Sequence, residues 1–92
     1  MLNCVDLFSG AGGFSLAAIQ AGLRVRLAIE NNKHAVQTYR DNLCLSVPRP
    51  LVIDKDITTI NACKAYRDVF PNGEQCDLML GGLRAKVFLR IG

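Results

Sequence analysis

The sequence predicts an α/β domain that forms half of a doubly wound sheet, with parallel strands in the order 3-2-1-4. Short apolar runs alternate with segments of helical period along the 92 residues, which is typical of right-handed β-α-β crossovers. A glycine-dense turn, residues 9–13, directly follows the first apolar run. Acidic residues come at or just after the ends of the next two strands, at the edge where such sheets bind ligands.

Each element is predicted from its own residue pattern. The strands are short and rich in apolar or branched residues, at positions 3–8, 25–29, 51–53 and 77–80. The helices have good helix formers or helical spacing, at positions 14–21, from a cap at 31 or 32 to about 43, and from 58 or 59 to about 69. Gly22 is a residue type common just after a helix, and Pro48 and Pro50 make residues 46–50 a loop.

Composition excludes several classes of protein. No run approaches the roughly 20 apolar residues of a membrane span, and no signal-peptide pattern begins the chain, so we expect a cytoplasmic protein without a membrane partner. Cys4, Cys44, Cys63 and Cys76 are widely spaced, and the single histidine, His34, is not near any of them. Because zinc sites need closely spaced ligands, we expect reduced thiols and no metal.

Charge does not by itself predict a nucleic-acid surface. The chain has 11 basic and 8 acidic residues, a net charge of +3. The whole excess consists of Arg84, Lys86 and Arg90, near the C-terminal end of the sequence. A nucleic-acid footprint is a basic face spread over a folded surface, and three charges in one terminal segment do not define one.

Three acidic residues lie near strand ends, and two of them, Glu30 and Asp56, are candidates for contacts with a ligand. Glu30 can accept hydrogen bonds from both hydroxyls of a ribose, or it can favour the dipole of the following helix. Asp56 can accept a bond from an adenine amine while Ile57 lies on the ring, or it can cap the following helix. Asp6 is expected to be a buried anchor that binds N–H groups of the turn.

The glycine turn narrows the choice of ligand. Its glycines allow close backbone approach, and the following helix offers free N–H groups to an anion. Ser15 occupies the third glycine position of the dinucleotide pattern G-x-G-x-x-G, and no P-loop pattern is present. A nicotinamide-dependent oxidoreductase is therefore disfavoured. S-adenosylmethionine fits better, with its carboxylate at the turn, its ribose at Glu30 and its adenine beside Asp56.

The run Asp6-Leu7-Phe8-Ser9-Gly10-Ala11-Gly12-Gly13-Phe14-Ser15 resembles the cofactor-binding motif of the DNA (cytosine-5)-methyltransferases. Residues 28–32, 55–58 and 77–82 resemble the next three blocks of that family, in the same order. The resemblance covers residues 1–82. It implies the S-adenosylmethionine-binding part of a Rossmann-like methyltransferase of the bacterial restriction–modification type.

The resemblance also implies roles for particular residues. Phe8 would pack on adenine and Glu30 would bind the ribose. Asn31 stands where the family often has a bulky apolar or aromatic residue, whereas Asp56 and Ile57 match the family pattern. The backbone of the glycine turn would hold the methionine end, and it consists of Ser9, Gly10, Ala11, Gly12 and Gly13.

The family's catalytic residue is missing from the expected position. In the family reaction a cysteine thiolate from a Pro-Cys-Gln run after the fourth strand adds to a flipped-out cytosine. Here Ala85 occupies that position, so no catalytic residue is assigned. Residues 83–92 (the tail) can be encoded by bases that, with one C restored before them, encode Pro-Pro-Cys-Gln-Gly-Phe-Ser-Pro-His-Arg. We therefore hypothesise that the gene is frameshifted after the Gly82 codon, so that the chain consists of the cofactor-binding half of a methyltransferase domain, residues 1–82, and a divergent tail.

Several expectations follow for activity and partners. This chain alone would bind the cofactor but would not transfer a methyl group, or it would be active only with a second chain that carries the catalytic half. DNA is the partner of the full-length family and is not expected to bind this chain alone. The fourth strand would be an exposed sheet edge, which favours pairing with other strands. Residues 87–91 would either add to the sheet as a strand or join two chains in a homodimer.

Overall fold

The computed structural model describes residues 1–45, 48–81 and, for the backbone, 86–89. Strands and helices alternate along these residues. In chain order they are β1 (Asn3–Leu7), α1 (Gly13–Gln20), β2 (Arg24–Glu30), α2 (Lys33–Leu43), β3 (Leu51–Asp54), a 3-10 turn (Ile57–Thr59), α3 (Ala62–Val69), β4 (Leu78–Gly81) and β5 (Lys86–Leu89).

The strands form one sheet with the order β3-β2-β1-β4-β5. β3, β2, β1 and β4 are all parallel, which confirms the predicted order 3-2-1-4. Their carboxyl ends therefore lie at the same edge of the sheet. The segments that follow β1 and β2, residues 8–12 and 31–32, meet at that edge.

The prediction that β4 is an exposed edge is wrong. β5 pairs with β4 in the antiparallel direction, with Leu78 opposite Leu89 and Gly81 opposite Lys86. The alternative prediction, that part of the tail adds to the sheet as a strand, is confirmed for residues 86–89. Any pairing of two chains through this side of the sheet would involve β5 rather than β4, and the homodimer stays a prediction.

Residues of β1 divide the core between the two faces of the sheet. Cys4 is fully buried in a cluster with Ala18 of α1, whereas its neighbour Val5 is buried in a cluster with Val69 and Phe70 at the end of α3. Successive strand residues point to opposite faces, so one strand supports both layers. Helices thus cover both faces, as a doubly wound sheet requires.

Capping residues explain where the helices begin. Asn32, one of the two predicted caps, accepts a hydrogen bond from the Ala35 N–H at 3.0 Å and begins α2. α3 begins later than predicted, because Asn61 accepts from the Lys64 N–H at 3.0 Å and acts as its cap. Part of the predicted loop, positions 46 and 47, lies outside the described residues. No helix in the described part of the chain is long and apolar enough to cross a bilayer.

Candidate cofactor cleft

A cleft of about 840 Å³ opens where the turn after β1 meets the end of β2. Its volume lies within the roughly 300–1,000 Å³ typical of small-molecule sites. The predicted site residues that line it are Phe8, Ser9, Gly10, Gly13, Glu30 and Asn31. The structure therefore brings together residues that are separated by about 20 positions in sequence but follow neighbouring parallel strands.

Four other predicted site residues lie outside the lining of this cleft: Ala11, Gly12, Asp56 and Ile57. Asp56 Oδ1 accepts hydrogen bonds from the Thr58 backbone N–H at 2.9 Å and the Thr58 hydroxyl at 2.7 Å. These bonds hold the pKa of the Asp56 carboxyl below its ordinary value. The capping alternative is thus observed, although the cap begins a 3-10 turn rather than α3. Ile57 packs against the apolar cluster beneath α3. Adenine contacts by these two residues stay a prediction.

Helix residues that sequence reasoning missed complete the lining. Phe14 and Ala17 lie on α1, and Asn32 and Ala35 belong to the cap and first turn of α2. Each pair is three residues apart, a spacing that places side chains on the same face of a helix. Helical spacing counted from the glycine turn and from the Asn32 cap was the signal that could have found them.

Both carboxylate oxygens of Glu30 accept hydrogen bonds from the backbone around the cleft. Oε1 accepts a hydrogen bond from the Gly10 backbone N–H at 3.0 Å, and Oε2 accepts from the Asn32 backbone N–H at 2.9 Å. An ionised carboxylate has about four acceptor sites, so two remain for a ligand. Glu30 therefore both fixes the turn relative to α2 and presents free acceptor capacity to the cleft.

Phe8 has the only positive φ among the described non-glycine residues, at +55°. Residues with bulky side chains are rarely found in this region of φ/ψ space. The residue is 41 % exposed and lines the cleft, so burial in the core does not account for the conformation. The next residue is fixed by a bond from the Ser9 N–H to the Ile29 carbonyl at 3.0 Å. Strained backbone of this kind clusters at ligand sites.

Ser9 offers the cleft an unused polar group. The residue is only 6 % exposed and lines the cleft. Its Oγ is buried and has no hydrogen-bond partner among the described residues. Because buried hydroxyls in native proteins nearly always have a partner, this oxygen is suited to a polar group of a ligand.

Gly12 does not line the cleft and instead allows close packing of the turn against α2. Its φ is +108°, and a Cβ placed there would lie 2.4 Å from Leu43 Cδ1 and 3.0 Å from Tyr39 Cδ2. The middle of the glycine turn is therefore packed tightly against α2. At Gly10 and Gly13, no described residue beyond the local backbone lies within 4 Å of such an added atom, which leaves those two positions open to a ligand.

Asp6 is fully buried beneath the turn. It is an anchor, as expected, but its partner is Ser15 at the start of α1 rather than an N–H of residues 9–13: Oδ2 accepts from the Ser15 hydroxyl at 2.5 Å. Burial raises the pKa of Asp6, the hydrogen bonds from Ser15 act in the opposite direction, and the negative charge of Glu30 adds to the increase. Burial also raises the pKa of Cys4 to about 11, with the charge of Asp6 contributing.

The described residues contain no group of three or more His, Cys, Asp or Glu side chains arranged to hold a metal ion. All four cysteines are free thiols. Cys4 and Cys76 are buried, Cys44 is half-buried and Cys63 is exposed. Ala85, the position expected for the catalytic cysteine, lies outside the described residues.

A parallel sheet in this order, with a glycine turn after β1 and an acid at the end of β2, defines a Rossmann-like domain, a fold that binds its ligands at this edge of the sheet. The family follows from sequence comparison. A family model for the C-5 cytosine-specific DNA methylases matches residues 2–83. The chain belongs to this family, and the oxidoreductase alternative is set aside.

Individual proteins show the same relationship. The type II methyltransferase M1.HphI of Haemophilus parahaemolyticus is 36 % identical over 91 residues, which are 99 % of this chain and 23 % of that protein. A crystal structure of a protein assigned as a DNA modification methyltransferase of an E. coli prophage has a TM-score of 0.73 and 38 % identity, over 88 % of this chain and 22 % of that one.

The fold also matches a more distant methyltransferase. The plantazolicin methyltransferase BpumL in complex with SAH has a TM-score of 0.57 and 15 % identity, over 87 % of this chain and 26 % of that one. At this identity the match shows the fold alone. The chain spans about a quarter of the length of each of these proteins, and it matches the N-terminal part of its type II methyltransferase relatives.

Proposed function

We propose that residues 1–82 bind S-adenosylmethionine as the N-terminal cofactor-binding part of a DNA (cytosine-5)-methyltransferase of the cytoplasm, and that the tail is a separate segment. The observation that carries this proposal is the cleft itself, which is lined by an aromatic ring on strained backbone, a hydroxyl without a hydrogen-bond partner in the described part of the chain, and a carboxylate with spare acceptor sites. The residues concerned are Phe8, Ser9 and Glu30.

These groups suit the three parts of the proposed cofactor. The exposed face of Phe8 is suited to adenine, since aromatic rings stack on bases. The remaining acceptor sites of Glu30 are suited to the two ribose hydroxyls. The Ser9 hydroxyl and the open backbone at Gly10 and Gly13 are suited to the methionine end. When bound, the cofactor supplies the methyl group that the family transfers to carbon 5 of cytosine.

Ala85 leads us to propose that this chain alone does not transfer that methyl group. The reaction requires a thiolate that adds to carbon 6 of the base, and an alanine methyl group cannot form this bond. None of the four cysteines lines the cleft. DNA is accordingly proposed as a partner of the full-length relatives and not of this chain alone.

Isothermal titration calorimetry with S-adenosylmethionine tests cofactor binding. Wild-type protein should bind, and Glu30→Gln should bind at least about tenfold more weakly, because a hydrogen bond to a charged group is worth about 1.5–3 kcal/mol. Glu74→Gln is the matched control, since Glu74 is the only other glutamate in the chain and lies outside the cleft. Absence of both heat and thermal shift with wild type would overturn the proposal.

Two further measurements test the proposed inactivity and its origin. Incubation with labelled cofactor and cytosine-containing DNA should yield no labelled 5-methylcytosine, and a labelled product would contradict the proposal. Sequencing of the gene around the Gly82 codon should show out-of-frame codons for Pro-Cys-Gln. If those codons are absent, the frameshift hypothesis fails.

An apolar cleft on the α3 face of the sheet favours a second candidate function, activity in complex with a chain that carries the catalytic half. This cleft has a volume of about 240 Å³, and its lining includes Leu7, Ile57, Tyr66 and Met79. Tyr66 and Met79 are 44 % and 38 % exposed, so the apolar surface is open to a partner. Co-expression with a chain carrying Pro-Cys-Gln should restore methylation of DNA, and failure of the two chains to co-purify would refute this candidate.

A further inference from the structure

A buried chain of hydroxyl groups lies behind the cleft. The Tyr39 hydroxyl donates to Ser15 Oγ at 2.8 Å, and the Ser15 hydroxyl donates to Asp6 Oδ2 at 2.5 Å. All three residues have no exposed surface. None of them lines the cleft, so none is placed to touch a ligand there.

The chain of hydrogen bonds joins three elements that enclose the cleft. Asp6 is in β1, two residues before Phe8. Ser15 is in α1, two residues after Gly13. Tyr39 is in α2, the helix whose first turn lines the opposite wall. The network therefore fixes both ends of the segment 8–13 and its distance from α2.

The carboxylate depends on this network. Asp6 Oδ1 is buried and has no hydrogen-bond partner among the described residues, so Ser15 provides its side-chain hydrogen bond. Burying a charge is strongly unfavourable unless it is paired or hydrogen-bonded. The hydroxyl of Tyr39 orients the Ser15 hydroxyl as a donor to Asp6, because Ser15 Oγ then acts as acceptor on one side and donor on the other.

We propose that Tyr39 is a positioning residue for the cofactor cleft, and that it acts through Ser15 and Asp6 on the strained turn that carries Phe8. The effect of Tyr39 on S-adenosylmethionine binding rests on the proposed function. Phe8 at φ +55° keeps its strained backbone only while the flanking residues are held in place. Loss of the Tyr39 hydroxyl would let the turn relax and would misplace the ring and the Ser9 hydroxyl.

Tyr39→Phe removes the hydroxyl and keeps the buried ring. Tyr66→Phe is the matched control, because Tyr66 is the only other tyrosine in the chain, and its hydroxyl donates to the Glu74 carbonyl at 3.3 Å at an exposed position. Tyr39→Phe should weaken S-adenosylmethionine binding about fivefold, the equivalent of one typical hydrogen bond, whereas Tyr66→Phe should bind like wild type. Equal affinity of Tyr39→Phe and wild type would overturn the proposal.

Amide chemical shifts of the free protein provide a test that needs no ligand. Gly12 packs against the Tyr39 ring, so its resonance would move with any change of that ring. Tyr39→Phe should also move the resonances of Phe8 and Ser9, which a purely structural role of Tyr39 within α2 would not do. Changes confined to α2 and Gly12 would refute positioning even if the proposed function holds. If wild type binds no cofactor but the turn resonances move, the proposed function fails while the positioning of the turn stands.

Ser15→Ala provides a second test of the proposal if Tyr39→Phe fails to fold. It breaks the same chain at its middle, so its turn resonances and affinity should change in the same direction. The double variant with Tyr39→Phe should lose little more affinity than either single variant, because residues of one hydrogen-bond network act non-additively. Fully additive losses would show that the two hydroxyls act independently, and the proposal would be wrong.

Discussion

Gly12 and Gly13 are neighbours in one turn, yet alanine should have different effects at the two positions. Gly12→Ala should destabilise the fold, because Gly12 packs against α2. Gly13→Ala should leave the fold intact and weaken binding in the cleft, because Gly13 lines the cleft. The pair therefore separates the packing role of the glycine turn from its proposed role in binding.

The loss of stability expected for Gly12→Ala has two sources, overpacking by the added Cβ and an unfavourable backbone conformation. The added Cβ would lie 2.4 Å from Leu43 Cδ1 and 3.0 Å from Tyr39 Cδ2, and overpacking of a core typically costs about 1–3 kcal/mol. The φ of +108° is unfavourable for a residue with a Cβ by about 1–3 kcal/mol. Together they predict a loss of about 2–6 kcal/mol, against a typical domain stability of about 5–15 kcal/mol.

At Gly13 neither strain exists. Apart from its chain neighbours and the nearby backbone of α1, no heavy atom of the described residues lies within 4 Å of an added Cβ. Gly13 is also the first residue of α1, where alanine has the better helix propensity. The free energy of unfolding should stay within about 0.5 kcal/mol of wild type, the usual range for surface changes. A methyl group that intrudes on the ligand should weaken S-adenosylmethionine binding about tenfold, which corresponds to about 1.4 kcal/mol.

Urea denaturation followed by far-ultraviolet circular dichroism measures the stability difference, and calorimetry on the folded variants measures binding. Thermal unfolding of Gly12→Ala should occur at least about 8 °C lower, since 1 kcal/mol corresponds to about 4–8 °C in a domain of this size. The reasoning is refuted if the two variants have equal stability. It is also refuted if Gly13→Ala binds as tightly as wild type.

Three further outcomes are expected. Asn31→Trp should tighten S-adenosylmethionine binding about fivefold or more, because a stacked base is worth about 1–3 kcal/mol, and unchanged calorimetry would place adenine elsewhere. Because folding raises the pKa of Asp6, protonation of this carboxyl stabilises the fold below its ordinary pKa of 3.8, and this stabilisation is lost as the pH rises through the folded-state pKa. The urea midpoint of wild type relative to Asp6→Asn should therefore rise as pH falls. A pH-independent difference would contradict this. In timed iodoacetamide labelling with mass spectrometry, exposed Cys63 should react first and Cys4, with its pKa of about 11, last; early labelling of Cys4 would show that it is accessible.

Sequence was sufficient for the features that depend on chain order and strand ends. Alternating strands and helices allow few topologies, and the order 3-2-1-4 followed from them. The meeting of the glycine turn with Glu30 was predictable for the same reason, since the carboxyl ends of neighbouring parallel strands share an edge. The family motif added roles for these residues that spacing alone left open.

The sequence could not predict which residue begins α3 or which role Asp56 has, because the alternatives have similar energies. Asp56 and Asn61 are both good cap residues, and nothing in their neighbourhood indicates that one begins a 3-10 turn and the other begins α3. Residue type also left two roles open for Asp56, a contact with adenine and a cap. The Thr58 hydroxyl, 2.7 Å from Asp56 Oδ1, supports the capping role.

Long-range packing was also beyond the sequence. Ser15 is notable in the sequence because it departs from the dinucleotide pattern, but its partner Tyr39 lies 24 residues away and no local pattern connects them. Gly12 looks like a residue that lets a ligand approach, whereas the atoms next to it belong to Leu43 and Tyr39. Both contacts depend on how α2 packs against the turn, which residue spacing does not determine.

The tail changes two properties of the domain at once if the frameshift hypothesis holds. With the extra base restored, positions 86–89 would read Gln-Gly-Phe-Ser, which is a poor strand sequence because glycine is depleted in strands. The observed sequence Lys86-Val87-Phe88-Leu89 contains good strand formers, and its backbone pairs with β4. The shift that removes the catalytic cysteine would therefore also supply a strand that covers the side of β4 and reduces its tendency to pair with other chains. On this reasoning β5 becomes the edge strand on this side of the sheet, and a strand from another chain would have to pair with β5 rather than with β4.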